Sequence, residues 1–98
     1  MQSPGRILRR INPRGMSFML REVSPTETRI SIFGDENIHI VVNHPLESLN
    51  QAFYYWIAEG RLIQQAFSFL SVEEREFLMT GMTPQVWNET FGKMEFEQ

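Results

Sequence analysis

The sequence predicts an α+β domain, and three observations carry that prediction. Short runs between residues 17 and 42 alternate apolar and polar side chains with the period of two that a half-buried strand requires. The stretch from Leu46 to Leu70 repeats its apolar residues at helical spacing, and residues 71–92 contain successive start and stop signals for short helices. The expected architecture is an N-terminal two- or three-stranded antiparallel sheet packed by three or four C-terminal helices. Residues 1–15 are read as a flexible basic arm, 16–92 as one α+β domain and 93–98 as a tail.

Ninety-eight residues suit one hydrophobic core, near the size at which a fold holds without disulfides or metals. With no cysteine there is no disulfide framework, no thiolate metal site and no cysteine nucleophile, which makes a cytoplasmic setting the expectation. No apolar run approaches the roughly 18 to 20 residues that span a bilayer, and the basic N-terminal stretch lacks the apolar core of a secretory signal. No membrane partner is expected. The net charge of −3 hides a polarity along the chain. Residues 1–29 carry six Arg against Glu22 and Glu27, or +4, whereas residues 30–98 carry Arg61, Arg75 and Lys93 against ten acids, or −7.

In the arm, Pro4, Gly5, Pro13 and Gly15 interrupt four Arg, with Ile7, Leu8 and Ile11 as the apolar anchors. From Met16 the pattern becomes strand-like. Ser17 to Val23 sets Phe18 and Leu20 against Ser17, Met19 and Arg21, and it ends before the turn-forming Ser24-Pro25-Thr26. Thr28 to Phe33 and Ile38 to Val42 form a hairpin in which Ile30 and Ile32 share a face with Ile38, Ile40 and Val42. A three-residue loop Asp35-Glu36-Asn37 would set Ile32 opposite Ile40 and Ile30 opposite Val42. The second face of the hairpin is half apolar, so it too invites a cover: the arm, a helix or a partner.

Asn43-His44-Pro45 is a helix entrance, with Pro acceptable in a first turn. Leu49, Phe53, Trp56, Gly60, Ile63, Phe67 and Leu70 then alternate spacings of four and three, the seam of an amphipathic helix, with Tyr55, Leu62, Ala66 and Phe69 beside it. In one unbroken helix Glu59 would project among Ala52, Tyr55 and Ala66, a costly place for an unpaired charge. A break at Gly60 is therefore favoured, giving helices near 46–59 and 61–69. Ser71-Val72-Glu73-Glu74 is a capping box opening a helix that Gly81 ends. Thr83-Pro84 opens another, running to Phe91 before Gly92, with Phe77, Leu78, Met82, Val86, Trp87 and Phe91 expected in the core.

Across Phe69-Leu70-Ser71, Glu73 to Gly81, Thr83-Pro84, Trp87 and Phe91-Gly92, the chain resembles small, uncharacterised bacteriophage accessory proteins. The resemblance covers about residues 44–92. It implies a viral, host-interacting protein, for example an inhibitor of a host defence complex, and it brings no catalytic residues with it.

No motif points to an enzyme, a cofactor or a metal. His39 and His44 match no ligand spacing even with Asp35 and Glu36 nearby, and no nucleophile elbow or phosphate loop accompanies Ser31 or Ser48. The expected activity is non-enzymatic binding of a protein. Its candidate residues are Tyr54, Arg61 and Gln65 on a polar helix strip, where an exposed Tyr beside Arg has the composition of an interface hot spot, and Glu73, Glu74 and Glu76 as an acidic surface. The alternative is nucleic-acid binding through Arg6, Arg9, Arg10 and Arg14, which would neutralise phosphates without reading sequence. A third reading is homo-oligomerisation through the apolar helix, where Ala52 and Gly60 would allow close approach.

Overall fold

The computed structural model describes residues 5–86 and 89. It is an α+β fold in which a four-stranded antiparallel meander, in the order β1-β2-β3-β4, is covered on one face by short helices. The strands are β1 (Ile7–Ile11), β2 (Ser17–Ser24), β3 (Glu27–Ile32) and β4 (Asp35–Val42). The helices are α1 (Leu46–Phe53), which continues as a π-helical turn (Tyr54–Ala58), α2 (Ile63–Ala66) and α3 (Val72–Thr80). The sheet therefore has four strands where two or three were expected, and the extra strand comes from the stretch read as an arm.

The cause of that correction is local. Asn12 to Met16 is a hairpin turn: the Asn12 N–H donates to the Met16 carbonyl and Gly15 N–H to the Asn12 carbonyl, both at 2.9 Å, with Gly15 at φ +88°. Pro13 and Gly15 thus punctuate a hairpin. Pairing then sets Leu8 opposite Leu20 on the covered face.

The β3–β4 hairpin also differs from expectation. The chain turns at Phe33-Gly34, where Gly34 has φ +97°, so Ile32 faces Asp35 and an irregularity follows before Ser31 meets His39. Ile30 consequently pairs with Ile40 and Thr28 with Val42, two residues away from the predicted register. An even shift keeps Ile30, Ile40 and Val42 on their intended face, whereas Ile38, expected with them, lies in the irregular stretch and is exposed.

The break at Gly60 is present. Gly60 adopts φ +71°, and the Arg61 N–H returns to the Tyr55 carbonyl at 3.0 Å, which ends the helix. The chain then runs extended through Leu62 into α2. The stripe predicted for one helix still meets in space: Leu49, Phe53, Trp56, Phe67 and Leu70 are buried, and Phe67 lies 5.1 Å from the Phe53 ring and 5.7 Å from Trp56. The neighbouring patch is split: Ala66 is buried and Tyr55 packs against the core, whereas Leu62 and Phe69 are exposed once the helix is interrupted.

α3 follows its signals. Ser71 Oγ accepts from Glu74 N–H at 3.1 Å, Glu74 Oε1 accepts from Ser71 N–H at 2.8 Å, and Gly81 closes the helix at φ +79°. Phe77 and Leu78 are buried, with Phe77 edge-on to Phe18 at 5.6 Å. Residues 84–86 are helical, and Thr83 Oγ1 accepts from Val86 N–H at 3.2 Å as an N-cap. Met82 is half-buried and Val86 exposed, whereas both were expected in the core. Trp87, Phe91 and the tail from Lys93 lie outside the described residues. No helix among the described residues is long and apolar enough to cross a membrane.

Asn12 joins the two ends of the fold. Its side chain is buried, with Oδ1 accepting from Arg14 and Met16 N–H at 2.9 Å each and Nδ2 donating to the Leu78 carbonyl at 2.9 Å. One amide therefore holds the β1–β2 turn and satisfies a carbonyl in the last turn of α3.

Candidate functional site

Strand pairing sorts the β residues onto two faces. The row Leu8, Leu20, Ile30, Ile40 lies under the helices and is largely buried. On the opposite face one row reads Ile7, Arg21, Arg29, Val41 and the next reads Arg9, Met19, Ser31, His39. Ile7, Ile11, Phe33 and Val41 on this face are each 46 to 48% exposed, so nothing among the described residues covers it.

Its electrostatics are cationic. Arg21 and Arg29 stand directly opposite each other, a like-charge pair that costs stability when nothing compensates it. Glu36 approaches Arg21 at 3.7 Å. Arg9 lies over the Phe33 ring at 4.1 Å and donates to Ser17 Oγ at 3.3 Å. Folding gains little from this arrangement, whereas an interface gains exposed apolar area with guanidinium groups at its centre.

The strand alternation divides the predicted phosphate-binding Arg residues. Arg10 points to the helix side, where its guanidinium donates to Asn50 Oδ1, with Nε at 3.0 Å. Arg6 pairs with Glu47 at 2.9 Å on the surface, and that hydrogen bond raises the Arg6 pKa above its ordinary value. Arg9 belongs to the open face, and Arg14 sits in the exposed hairpin turn. The four do not converge on one surface.

The predicted protein-binding residues are also dispersed. Tyr54 is exposed and lines a groove of about 770 Å³ between β1 and the first helix, with Arg9, Arg10, Ile11, Asn50 and Ile57. Arg61 lies over the Tyr55 ring at 4.5 Å, pairs with Glu59 at 3.0 Å and lines a separate cavity of about 330 Å³ beside Asn12, Trp56 and Met79. Gln65 is exposed on α2 and lines neither. In α3, Glu73 is exposed, Glu74 closes the capping box and Glu76 is half-buried, its carbonyl accepting from Thr80 Oγ1.

The histidines are occupied separately: His39 Nδ1 lies 3.0 Å from the Glu36 carbonyl oxygen, and the His44 ring packs edge-on to Phe69 at 4.6 Å. Among the described residues no three His, Asp or Glu side chains group as metal ligands would. The half-apolar second face was visible in the alternation of β3 and β4. Arg21 and Arg29 were missed as part of it because an Arg at an outward strand position reads as ordinary solvation. Comparison with protein-family models, curated proteins and solved structures gives no match.

Proposed function

We propose that this chain is a non-enzymatic binding domain whose partner is a protein, engaged through the open face of the sheet. The observation that supports the reading is the exposed row Ile7, Arg21, Arg29, Val41 beside the Arg9–Phe33 stack. Apolar area of this kind with Arg at its centre fits a protein surface carrying carboxylates. The resemblance of residues 44–92 to bacteriophage accessory proteins makes a bacterial cytoplasmic protein, such as a component of a defence complex, the first class of partner to test.

Affinity capture from bacterial lysate tests the reading with three baits: the unaltered protein, Phe33→Glu with Val41→Glu, and Glu73→Arg with Glu76→Arg. A partner retained by the first and third baits and lost from the second fits the open face. Loss from the third moves the contact to the acidic surface of α3. No partner retained by the unaltered protein above the double-Glu bait sinks the reading.

Nucleic acid is the second reading, carried by Arg9, Arg21 and Arg29 of the open face with Phe33 as a single stacking ring. An electrophoretic shift at low salt that Arg21→Glu with Arg29→Glu abolishes would support it. Self-association through the apolar helix would need another surface, because Leu49, Phe53 and Trp56 are buried within the protomer.

A further inference from the structure

We propose that β1 accepts an extended acidic segment of the partner as a fifth strand, its alternate side chains entering the groove beside the first helix. This rests on the protein-binding reading above and names the chemistry of what binds.

The hydrogen-bond phase of the β1–β2 ladder identifies the free groups. Glu22 N–H donates to the Arg6 carbonyl and Asn12 N–H to the Met16 carbonyl, both at 2.9 Å, so the even-numbered residues of β1 form the hydrogen-bonded pairs with β2. The N–H and C=O groups of Ile7, Arg9 and Ile11 consequently point away from the sheet. Among the described residues, the Arg9 carbonyl alone of these is engaged, accepting from Arg10 Nη1 at 2.7 Å. The pairing with β2 is regular over all five residues of β1. β4, at the other edge, is interrupted by the irregularity after Asp35, the kind of feature that discourages added strands.

Next to this free edge lies the groove of about 770 Å³, with Phe53, Tyr54 and Ile57 supplying apolar wall and Arg10 and Asn50 its polar side. A strand added to β1 alternates like the rest of the sheet. Side chains on one side of it enter the groove, and the intervening ones lie beside Arg9 on the open face. Apolar residues suit the first set and carboxylates the second. Arg10 and Arg9 give the edge a positive rim, since Glu47, the acid lining this groove, is already paired with Arg6.

A second copy of the chain is a poorer occupant. Antiparallel pairing of two β1 strands about Arg9 would place Arg9 against Arg9 of the other copy, with the Arg10 side chains close by, and like charges opposite each other oppose pairing. The same charges that resist self-pairing attract an acidic strand.

The test uses the full chain, labelled with nitrogen-15, and an end-blocked heptapeptide Ser-Leu-Glu-Val-Glu-Leu-Ser, with its Lys-for-Glu counterpart and an oligothymidylate as comparison probes. The acidic peptide is expected to slow amide exchange at Ile7, Arg9 and Ile11, while Leu8 and Arg10, already bonded to β2, change little. Arg9→Glu should weaken its binding by about tenfold or more, because truncating or reversing a charge at an interface removes attraction and adds repulsion. Ile7→Pro removes an outward N–H at the first position of an edge strand, where proline is tolerated, and should weaken binding with the fold and the charges retained. A chain that captures a partner from lysate yet gains no protection at Ile7, Arg9 and Ile11 with the peptide overturns strand addition and leaves the binding reading standing. Equal protection by the Lys peptide or by oligothymidylate, or concentration-dependent protection of the chain alone, also overturns it.

Discussion

The two faces of the sheet come from the same strands and have different fates. Leu8, Leu20, Ile30 and Ile40 make a continuous apolar row and lie beneath α1, the π-helical turn and α3. One residue away on each strand, Ile7, Arg21, Arg29 and Val41 make a row with apolar ends and a cationic middle. Covering that row with a helix of this chain would bury two guanidinium groups, and the desolvation penalty would exceed what Ile7 and Val41 return. Among the described residues the face is open, as that penalty requires. The proposed partner would offset that penalty by bringing its own carboxylates.

The contrast can be broken from the covered side first. Phe67 is the aromatic hub, in contact with Phe53, Trp56 and Phe69, and it is fully buried. Phe67→Ala should cost about 3–5 kcal/mol, read as a shift of the urea midpoint with an unchanged slope. Asn12→Ala should be next, at about 1–3 kcal/mol, because it strands the Leu78 carbonyl and the turn amides of Arg14 and Met16. Amide exchange should then accelerate at the end of α3 as well as in the β1–β2 turn. Gly81→Ala combines a left-handed backbone with a Cβ that would lie 2.8 Å from Met16 Cε, and about 1 kcal/mol or more is expected from the backbone alone. Met16 is the end of a flexible side chain and can move aside, so thermal melting should show loss of stability without loss of fold. On the open face, Val41→Thr should change stability by less than about 0.5 kcal/mol, the behaviour of a surface position. If it destabilises as an inner-row substitution does, the face is covered.

Much of the fold was legible because the signals were short-range. Ser71 and Glu74 specify a capping box by themselves, Gly60 and Gly81 supply left-handed stops, and alternation assigns Ile30 and Ile40 to one face. Expectation and structure part where a local pattern is compatible with two non-local outcomes. The run from Ile7 to Ile11 places Ile7 beside Leu8 and Arg9 beside Arg10, without the alternation that declares a strand, and it becomes one because Leu8 finds Leu20 while Arg10 finds Asn50, 40 residues away. The β3–β4 register differs by two because either turn keeps Ile30 on one face with Ile40 and Val42, and the choice fell to Phe33-Gly34, where glycine accepts a positive φ. For the candidate site, the half-apolar second face could be read from β3 and β4. The meeting of Arg21 with Arg29, and of Arg9 with Phe33, could not.

The sequence by itself determined that strands precede helices from residue 17 onward, the stops at Gly60 and Gly81 and the parity that separates a core face from an outward one, because caps, left-handed glycines and side-chain alternation act over a few residues. Tertiary structure decided that residues 7–11 form the sheet edge, that Asn12 locks that edge to α3, and which arginines share the open face. These depend on which strands pair and in what register, and pairing is settled by contacts between residues far apart in the chain.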